Sequence, residues 1–306
     1  MMIDKFGRPV NSIRISVTKR CNLNCFYCHR EGIKGEKDNI SVEEFETVFR
    51  VASSLGIKKV KFTGGEPLER EDLEEIISIS RKYFNDISIT TNGTKLNGRA
   101  ESLYKAGLNR INISLHTLRR DRYKRITGVD MLDSVLAGIE DANLTPLNPI
   151  KINMVLMKGI NDDEVPALMD FVKDTKMVLQ IIELEVPREG IDSPIYKNYH
   201  LPLDPIEDYL KKLPHKVEKN PLHNRDKFII ENGSTYQVEL VKPMHNTEFC
   251  MHCNRIRLTY DGKLKPCIFR NDNLVPIIDE MRNGNEEKLK EKFILAVEKR
   301  EPYWRS

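Results

Sequence analysis

The sequence predicts an α/β fold in which parallel strands curl into a full or partial barrel. Three observations support this prediction: strand and helix patterns alternate through six β/α units, polar residues recur at every second strand position, and cysteines or glycines follow the first two strands. Such alternation is typical of a parallel sheet covered by helices. In these folds the working groups lie on loops at the carboxyl ends of the strands.

The elements follow in a regular order. Residues 12–18 predict the first strand, and Ser41-Val42-Glu43-Glu44 is a capping box that begins a helix ending near residue 54. Residues 58–63 predict the second strand, which ends at Gly64-Gly65-Glu66-Pro67. The remaining predicted units are helix 71–83, strand 86–91, helix 97–106, strand 110–115, helix 131–142, strand 150–157, helix 161–175 and strand 178–184.

The C-terminal part departs from this alternation. Proline-bearing segments span residues 187–223, with one short helix predicted near 204–212. Asn232-Gly233 and Asp261-Gly262 are hairpin turn signals between β-rich segments. Two helices, near 274–282 and 286–299, complete the chain. We therefore expect a core barrel over residues 1–220 and a C-terminal extension over residues 221–306 that covers its mouth.

Composition excludes several classes of protein. The 306 residues carry a net charge of +3, without the basic excess that is typical of nucleic-acid binding. The N-terminal residues lack the apolar segment of an export signal, and no apolar stretch is long enough to span a membrane. The sequence therefore predicts a cytoplasmic protein, in which the six cysteines serve a purpose other than structural disulfides.

Charged and polar residues interrupt strands that should be apolar on both faces. They recur at period two, which places each pair on one face of its strand. These pairs are Arg14 and Ser16, Lys61 and Thr63, Ser88 and Thr90, Asn112 and Ser114, and Lys151 and Asn153. Unpaired burial would cost several kcal/mol for each cation. Two interpretations remain open: internal carboxylates such as Glu66, Glu183 or Glu185 pair with the cations, or a polyanionic ligand does.

The first cysteine set, Cys21, Cys25 and Cys28, has C-x3-C-x2-C spacing directly after the first strand. Three thiolates can hold a [4Fe–4S] cluster and leave one iron open to a chelating molecule. Zinc with His29 as the fourth ligand is an alternative. The C-x-x-C-H arrangement also fits haem attachment, but that chemistry normally takes place outside the cytoplasm.

The second cysteine set, Cys250, Cys253 and Cys267, uses all of the remaining cysteines. In isolation its spacing is compatible with zinc, with His245 or His252 as the fourth ligand, or with an iron–sulfur cluster. Arg255 and Arg257 follow at period two and would project from one strand face. An open iron beside two cations would suit a ligand that carries both a coordinating base and phosphates.

These motifs resemble a known family. The two cysteine sets, Gly64–Pro67, Thr90-Thr91-Asn92-Gly93 and Lys158-Gly159-Ile160-Asn161-Asp162 are together similar to the GTP 3′,8-cyclases of molybdenum-cofactor biosynthesis, a family of radical S-adenosylmethionine (SAM) enzymes. The match extends over roughly residues 4–270. The resemblance implies a partial (β/α)6 TIM-like barrel of the radical SAM type, with a C-terminal extension that binds a second cluster.

The resemblance also implies roles for individual residues. It implies that Cys21, Cys25 and Cys28 bind one [4Fe–4S] cluster, and that Cys250, Cys253 and Cys267 bind another. It implies SAM contacts for Tyr27, Gly65 and Ser114. It implies GTP contacts for Arg14, Lys61, Thr90, Lys151, Arg255 and Arg257. No catalytic residue is assigned beyond the clusters, because the carbon chemistry belongs to the cofactor.

The activity implied is that of a lyase. Reductive cleavage of SAM gives a 5′-deoxyadenosyl radical, which abstracts the ribose 3′ hydrogen of GTP, and the sugar radical then attacks guanine C8. The product would be 3′,8-cyclo-7,8-dihydro-GTP. The implied partners are an electron donor of unknown identity and a downstream cyclic pyranopterin synthase.

Some features depart from the family pattern. Gln180 stands where many relatives carry arginine, and Glu185 stands where they carry a methionine near the cofactor. The chain ends Glu301-Pro-Tyr-Trp-Arg-Ser306 and lacks the Gly-Gly tail of bacterial members. The alternative functions are a radical enzyme acting on a peptide and a zinc-stabilised barrel that only binds a nucleotide. The first would predict further C-terminal cysteines and a peptide-recognition segment near the N terminus, and the second would predict zinc without iron.

Overall fold

A computed structural model describes residues 1–32, 40–231 and 233–305 of the chain. The strands are β1 (Met2–Ile3), β2 (Pro9–Val10), β3 (Ser12–Ser16), β4 (Lys59–Thr63), β5 (Asp86–Thr91), β6 (Arg110–Ser114), β7 (Ile150–Leu156), β8 (Met177–Glu183), β9 (His215–Asn220), β10 (Arg225–Glu231), β11 (Thr235–Val241), β12 (Arg255–Leu258), β13 (Lys263–Lys265) and β14 (Val275–Pro276). The helices are α1 (Val42–Ser54), α2 (Leu73–Ser80), α3 (Ala100–Ala106), α4 (Arg120–Thr127), α5 (Leu132–Asn143), α6 (Val165–Val172), α7 (Pro194–Tyr199), α8 (Asp204–Lys211), α9 (Thr247–Met251), α10 (Ile278–Arg282) and α11 (Glu286–Glu298).

One sheet organises the molecule, with strand order β14-β13-β12-β3-β4-β5-β6-β7-β8-β11-β10-β9. The six predicted strands, β3 to β8, pair in parallel in chain order. Strand β12 adds in parallel beside β3, and β11 adds in parallel beside β8. Across the described residues no pairing joins β14 to β9, so the barrel is open. The prediction of a partial barrel is confirmed.

The C-terminal residues extend both edges of the core sheet. Strands β9–β11 continue it beyond β8, while β12–β14 continue it beyond β3. The predicted boundary near residue 220 falls at the end of β9, and the division into two domains stays a prediction. Nowhere in residues 1–32, 40–231 or 233–305 is a helix both long enough and apolar enough to cross a membrane.

The outward face of the sheet forms the core. Alternate strand residues such as Ile13, Phe62, Ile89, Ile113 and Ile152 are fully buried. They belong to one apolar cluster with the inner faces of the surrounding helices. Burying these side chains stabilises the fold by roughly 1.5–3 kcal/mol each. The opposite face of the same strands is polar, as the period-two pattern predicted, and it encloses the candidate site.

Two local sequence signals correctly predicted where secondary-structure elements begin or turn. The capping box at Ser41 is present, since the Ser41 side chain accepts from the Glu44 backbone and the Glu44 carboxylate accepts from the Ser41 backbone. The hairpin between β10 and β11 is also present, although Asn232 of its turn lies outside the described residues. The helix predicted at 274–282 is wrong in its first part. Val275 pairs with Leu264 across β13 and β14, so tertiary pairing overrides the local preference.

Candidate active site

The polar face of the sheet encloses a cavity of about 380 Å³. All six residues predicted to contact GTP line it, namely Arg14, Lys61, Thr90, Lys151, Arg255 and Arg257. Tyr27, Ser114 and the second cysteine set line it as well. Gly65 and the first cysteine set, which the structure also describes, lie outside the lining residues. The fold therefore brings most of the predicted site residues to one cavity.

A row of cations crosses the sheet at this cavity. Strand pairing aligns Lys265 with Arg257, Arg257 with Arg14, and Arg14 with Lys61. Arg110 continues the same row, opposite Ser88 of β5. Like charges that face each other across paired strands repel and destabilise the sheet. Such a row therefore needs negative charge, either from the protein or from a ligand.

The electrostatics of the cavity favour an anion. Burial, followed by repulsion from Arg255, Arg110 and Arg14, holds the pKa of Lys61 well below its ordinary value. Burial, and then Arg14 and other arginines, lower the pKa of Arg255 to about 9. The Nε atoms of Arg14 and Arg257 are buried and have no hydrogen-bond partner within the described part of the chain. A bound polyanion would relieve the repulsion and satisfy such donors.

Carboxylates neutralise only part of this charge. Glu31 pairs with Arg14 and accepts from Thr63 Oγ1 at 3.0 Å, and Glu239 pairs with Lys151. Lys61 Nζ donates to an amide oxygen, Asn112 Oδ1, at 2.7 Å. The carboxylates considered from sequence have other partners: Glu66 accepts from the Asn92 and Leu68 backbones, Glu183 contacts His200, and Glu185 contacts His29. The interpretation that internal carboxylates pair with the cations is thus correct for Arg14 and Lys151. Their partners are Glu31 and Glu239, which were not among the carboxylates considered.

The first cysteine loop lies between the ends of β3 and β5. Asn92 Nδ2 lies 4.0 Å from Cys21 Sγ, and the Arg30 backbone N–H lies 3.4 Å from Cys28 Sγ. Burial, followed by the charges of Cys28 and Cys21, raises the pKa of Cys25 to about 12. Burial also raises the pKa of Cys21, so a bound cationic group would favour the thiolate forms of both residues. This donor set fits an iron–sulfur cluster, which is held by thiolates.

The Gly-Gly turn after β4 packs directly against that loop. The Gly65 N–H donates to Thr18 O at 2.7 Å, and the Glu66 N–H donates to Arg20 O at 2.7 Å. A Cβ at Gly65 would lie 2.1 Å from Arg20 O, which is backbone and cannot rotate away. The family resemblance implies that this glycine allows close approach to the cofactor. The structure adds a second constraint, because the turn must also approach the backbone of the cysteine loop.

We expect Gly65→Ala to destabilise the fold by about 2–3 kcal/mol, because the added Cβ forces the cysteine loop to move. Anaerobic urea denaturation would measure this loss, and iron analysis should show that the variant retains less iron after reconstitution. Gly7→Ala is the matched control. Gly7 has φ +76° but no atom within 4 Å of its added Cβ, so only backbone strain of about 1 kcal/mol is expected. Equal iron retention in both variants would contradict the packing constraint.

Two buried arginines hold the second cysteine loop by its backbone. Arg8 Nη1 donates to Cys250 O at 2.9 Å, and Arg300 Nη2 donates to Cys253 O. Both arginines pair with Asp4, with Arg8 Nε at 2.9 Å and Arg300 Nη1 at 3.1 Å from its Oδ2. The N-terminal residues and the segment that follows α11 therefore hold this loop in place. Sequence reasoning missed this arrangement, because its members are far apart in the chain.

Within the second set, the surroundings favour the thiolate form of Cys253, whereas burial raises the pKa of Cys250 and of Cys267. Burial alone would raise the pKa of Cys253, but Arg257 and Arg300 lower it below its ordinary value. The Trp304 backbone N–H donates to Cys250 Sγ at 3.4 Å. Hydrogen bonds to ligand sulfurs are among the features that tune iron–sulfur clusters. Among the described residues, no group of three or more Cys, His, Asp or Glu side chains is arranged to hold a single metal ion. An iron–sulfur cluster makes a different demand, because each of its thiolate ligands binds a different iron.

Tyr27 and Ser114 lie where the cavity approaches the first cysteine loop. Ser114 ends β6, and Tyr27 precedes the last cysteine of the loop. The Val155 N–H donates to His116 Nδ1 at 3.1 Å, which leaves His116 Nε2 to donate to the Tyr27 hydroxyl. These contacts fix the Tyr27 ring at the edge of the cavity. The SAM roles of Tyr27, Gly65 and Ser114 stay predictions.

Several cavity residues were missed from sequence. They are Arg8, Arg110, His223 and Arg225, which line the cavity, and Glu31 and Glu239, which pair with its cations. Arg110 could have been found, because it precedes Asn112 and Ser114 at the same period-two spacing. The carboxylates could not, since Glu31 follows the cysteines in a loop and Glu239 lies on a strand of the extension.

Comparison with known proteins agrees with this architecture. Residues 15–172 match the family model described as Radical SAM superfamily, and residues 177–306 match the one described as Molybdenum Cofactor Synthesis C. A solved structure of Streptococcus suis SuiB bound to precursor peptide SuiA superposes with a TM-score of 0.67 at 17% identity, covering 97% of this chain and 66% of that one. Polyhistidine-tagged anSMEcpe with bound AdoMet superposes with a TM-score of 0.63 at 19% identity, covering 92% and 84%.

Full-length relatives are more similar. A protein of Pyrococcus abyssi named probable GTP 3′,8-cyclase is 50% identical over 99% of this chain and 100% of its own length. A protein of Methanocaldococcus jannaschii with the same name is 45% identical over 99% of both chains. The open parallel barrel and its cysteine loops therefore define a radical SAM protein. Within that superfamily, the chain belongs to the GTP 3′,8-cyclase family.

Proposed function

We propose that this protein converts GTP to 3′,8-cyclo-7,8-dihydro-GTP in a SAM-dependent radical reaction, the first step of molybdenum-cofactor biosynthesis. The observation that carries the proposal is the cavity itself, which joins the polar sheet face to the second cysteine set and is lined by buried, mutually repelling cations. Full-length relatives named as GTP 3′,8-cyclases support the same substrate.

The two cysteine sets would hold the two [4Fe–4S] clusters of this family. Cys21, Cys25 and Cys28 would bind one, beside Tyr27 and the Gly64–Gly65 turn, and the second set would bind the other. When bound, the first cluster and SAM supply the 5′-deoxyadenosyl radical that begins the reaction. Each set offers three thiol groups, so a bound [4Fe–4S] cluster would have one iron without a cysteine ligand and available to a small molecule.

The protein would contribute binding and orientation. Arg14, Lys61 and Lys151 would neutralise the triphosphate, because they lie in the cavity with more positive charge than Glu31 and Glu239 offset. Thr90 would orient the substrate through its hydroxyl. Holding the ribose in one position replaces a random encounter with an oriented one, which is a large part of the rate advantage in enzymes.

Arg255 and Arg257 would bind the end of the substrate near the second cluster. Their strand, β12, begins two residues after Cys253, so both side chains are placed by the same segment that supplies a thiolate. The positive charge of Arg257 also lowers the pKa of Cys253.

The decisive experiment is anaerobic turnover of the reconstituted protein with GTP or ATP, scoring 5′-deoxyadenosine and cyclised nucleotide together. We expect about eight irons per chain, as two cubes require. We also expect both products with GTP, and no cyclised nucleotide with ATP. A protein that binds zinc without iron, or one that never forms cyclised nucleotide, would contradict the proposal. The electron donor, the downstream pyranopterin synthase and the cytoplasmic location stay predictions.

A further inference from the structure

A cluster of charged side chains, not predicted from the sequence, lies on the cavity wall formed by β7, β10 and β11. These strands lie towards the edge of the sheet that is opposite β12 and the second cysteine set. Glu239 of β11 is fully buried and is bound by three donors. Lys151 Nζ pairs with its Oε2, while Arg225 Nη2 and Asn220 Nδ2 lie 2.8 Å and 2.9 Å from its Oε1. We call Arg225, Glu239 and Lys151 the Glu239 cluster. It joins the core strand β7 to the extension strands β10 and β11.

This cluster is short of negative charge. One carboxylate faces two cations, so one positive charge remains uncompensated in a buried location. Burial, and then repulsion from Arg225, lower the pKa of Lys151 to about 8 despite the pairing with Glu239. Burial and Arg110 likewise lower the pKa of Arg225, again against the attraction of Glu239. Burying an excess charge is costly unless an additional anion binds.

The geometry holds Arg225 ready for such an anion. Its side chain is only 9% exposed, and it lines the cavity together with Lys151. Glu239 engages one edge of the guanidinium, and Leu222 O accepts from Nε at 3.1 Å. A guanidinium has five N–H donors, so others stay available after these two contacts. A fixed, planar donor group suits phosphate oxygens better than a mobile ammonium does.

The neighbouring strand explains why the extension supplies this cation. Glu239 lies in register with Gln180 of β8, and Gln180 also lines the cavity but carries no charge. Lys151 lies on β7, the next strand in the sheet. The second cation at this end of the cavity is therefore Arg225 of β10, one strand beyond β11. Glu239 lies on β11 and contacts both Arg225 and Lys151.

We propose that Arg225 is a substrate-binding residue that contacts the polyphosphate of the nucleotide, and that Glu239 is the positioning residue that holds Arg225 and Lys151 together as one phosphate subsite. The inference rests on the proposed function, since it concerns the same cavity and the same nucleotide. It predicts that Arg225 recognises phosphates and not the guanine or the ribose.

The test is a series of dissociation constants for guanosine, GMP, GDP and GTP, measured by calorimetry on the anaerobically reconstituted protein. We expect Arg225→Gln to weaken GTP binding roughly tenfold or more, as for loss of a charge-assisted phosphate contact. The loss should shrink from GTP to GMP and be close to zero for guanosine. Arg225→Lys should lose less than Arg225→Gln, because it keeps the charge without the planar fork.

Lys216→Gln is the matched control, because it removes one positive charge from the adjacent strand β9, where the side chain is 71% exposed and pairs with Glu231. It should leave the whole series unchanged. An equal loss for guanosine and GTP in Arg225→Gln, or no loss for GTP, would overturn the phosphate role. If Arg225→Gln does not fold, the same comparison of the loss for GTP with the loss for guanosine is made on Arg225→Lys. Failure of the unmodified protein to bind GTP would instead overturn the proposed function, and this inference with it.

Discussion

Cys25→Ser should abolish the formation of 5′-deoxyadenosine and reduce bound iron from about eight to about four per chain. Cys25 is the middle one of the three proposed ligands in its loop, where burial and the neighbouring thiols raise its pKa to about 12. A serine hydroxyl is a much poorer ligand for iron, so the first cluster should be lost and SAM cleavage with it. Anaerobic assays of 5′-deoxyadenosine and iron on the same sample measure both effects.

The control is Asn24→Ser, which makes an exposed change one residue earlier in the loop. The backbone N–H of residue 24 donates to Thr127 O at 2.9 Å, and this bond does not depend on the side chain. Iron content and SAM cleavage should therefore stay at the level of the unmodified protein. If Cys25→Ser kept its full iron content, or still cleaved SAM, the assignment of the first cysteine set would be wrong.

Cys253→Ser should separate the two halves of the reaction. We expect iron to fall to about four per chain, some SAM cleavage to persist without coupling, and cyclised nucleotide to disappear. The physical reason is that, in the function we propose, the second cluster anchors the substrate and the first cluster begins the radical step. The charges of Arg257 and Arg300 also lower the pKa of Cys253, so the substitution removes a thiol whose ionisation its surroundings favour. The measured quantity is the ratio of cyclised nucleotide to 5′-deoxyadenosine.

His252→Ala is the control for this variant and also tests the zinc alternative. His252 is 44% exposed, and its Nδ1 lies 3.0 Å from Glu248 O. We expect the His252→Ala variant to keep its iron and its coupling ratio. Loss of metal in His252→Ala would indicate a zinc site with histidine as a ligand. Full cyclisation by Cys253→Ser would show that the second cluster does not anchor the substrate.

The order of the core strands and the residues that face inward could be predicted from sequence alone. Period-two alternation requires Arg14, Lys61 and Lys151 to share the inner face once the strands pair in parallel. Helix α4 was missed, because Arg120–Thr127 is rich in charge and presents few apolar residues to the core. Helix α7 was missed because it is short and follows a proline-bearing segment.

The sequence by itself determined the chemistry that this protein can perform, because cysteine spacing, glycine position and strand periodicity are local properties of the chain. Tertiary structure alone decided how the buried charges are balanced. Glu31 is 17 residues from Arg14, and Glu239 is 88 residues from Lys151, so only folding brings these pairs together. Local pattern fixes which face a side chain takes, whereas the long-range order of the sheet fixes which charges meet there.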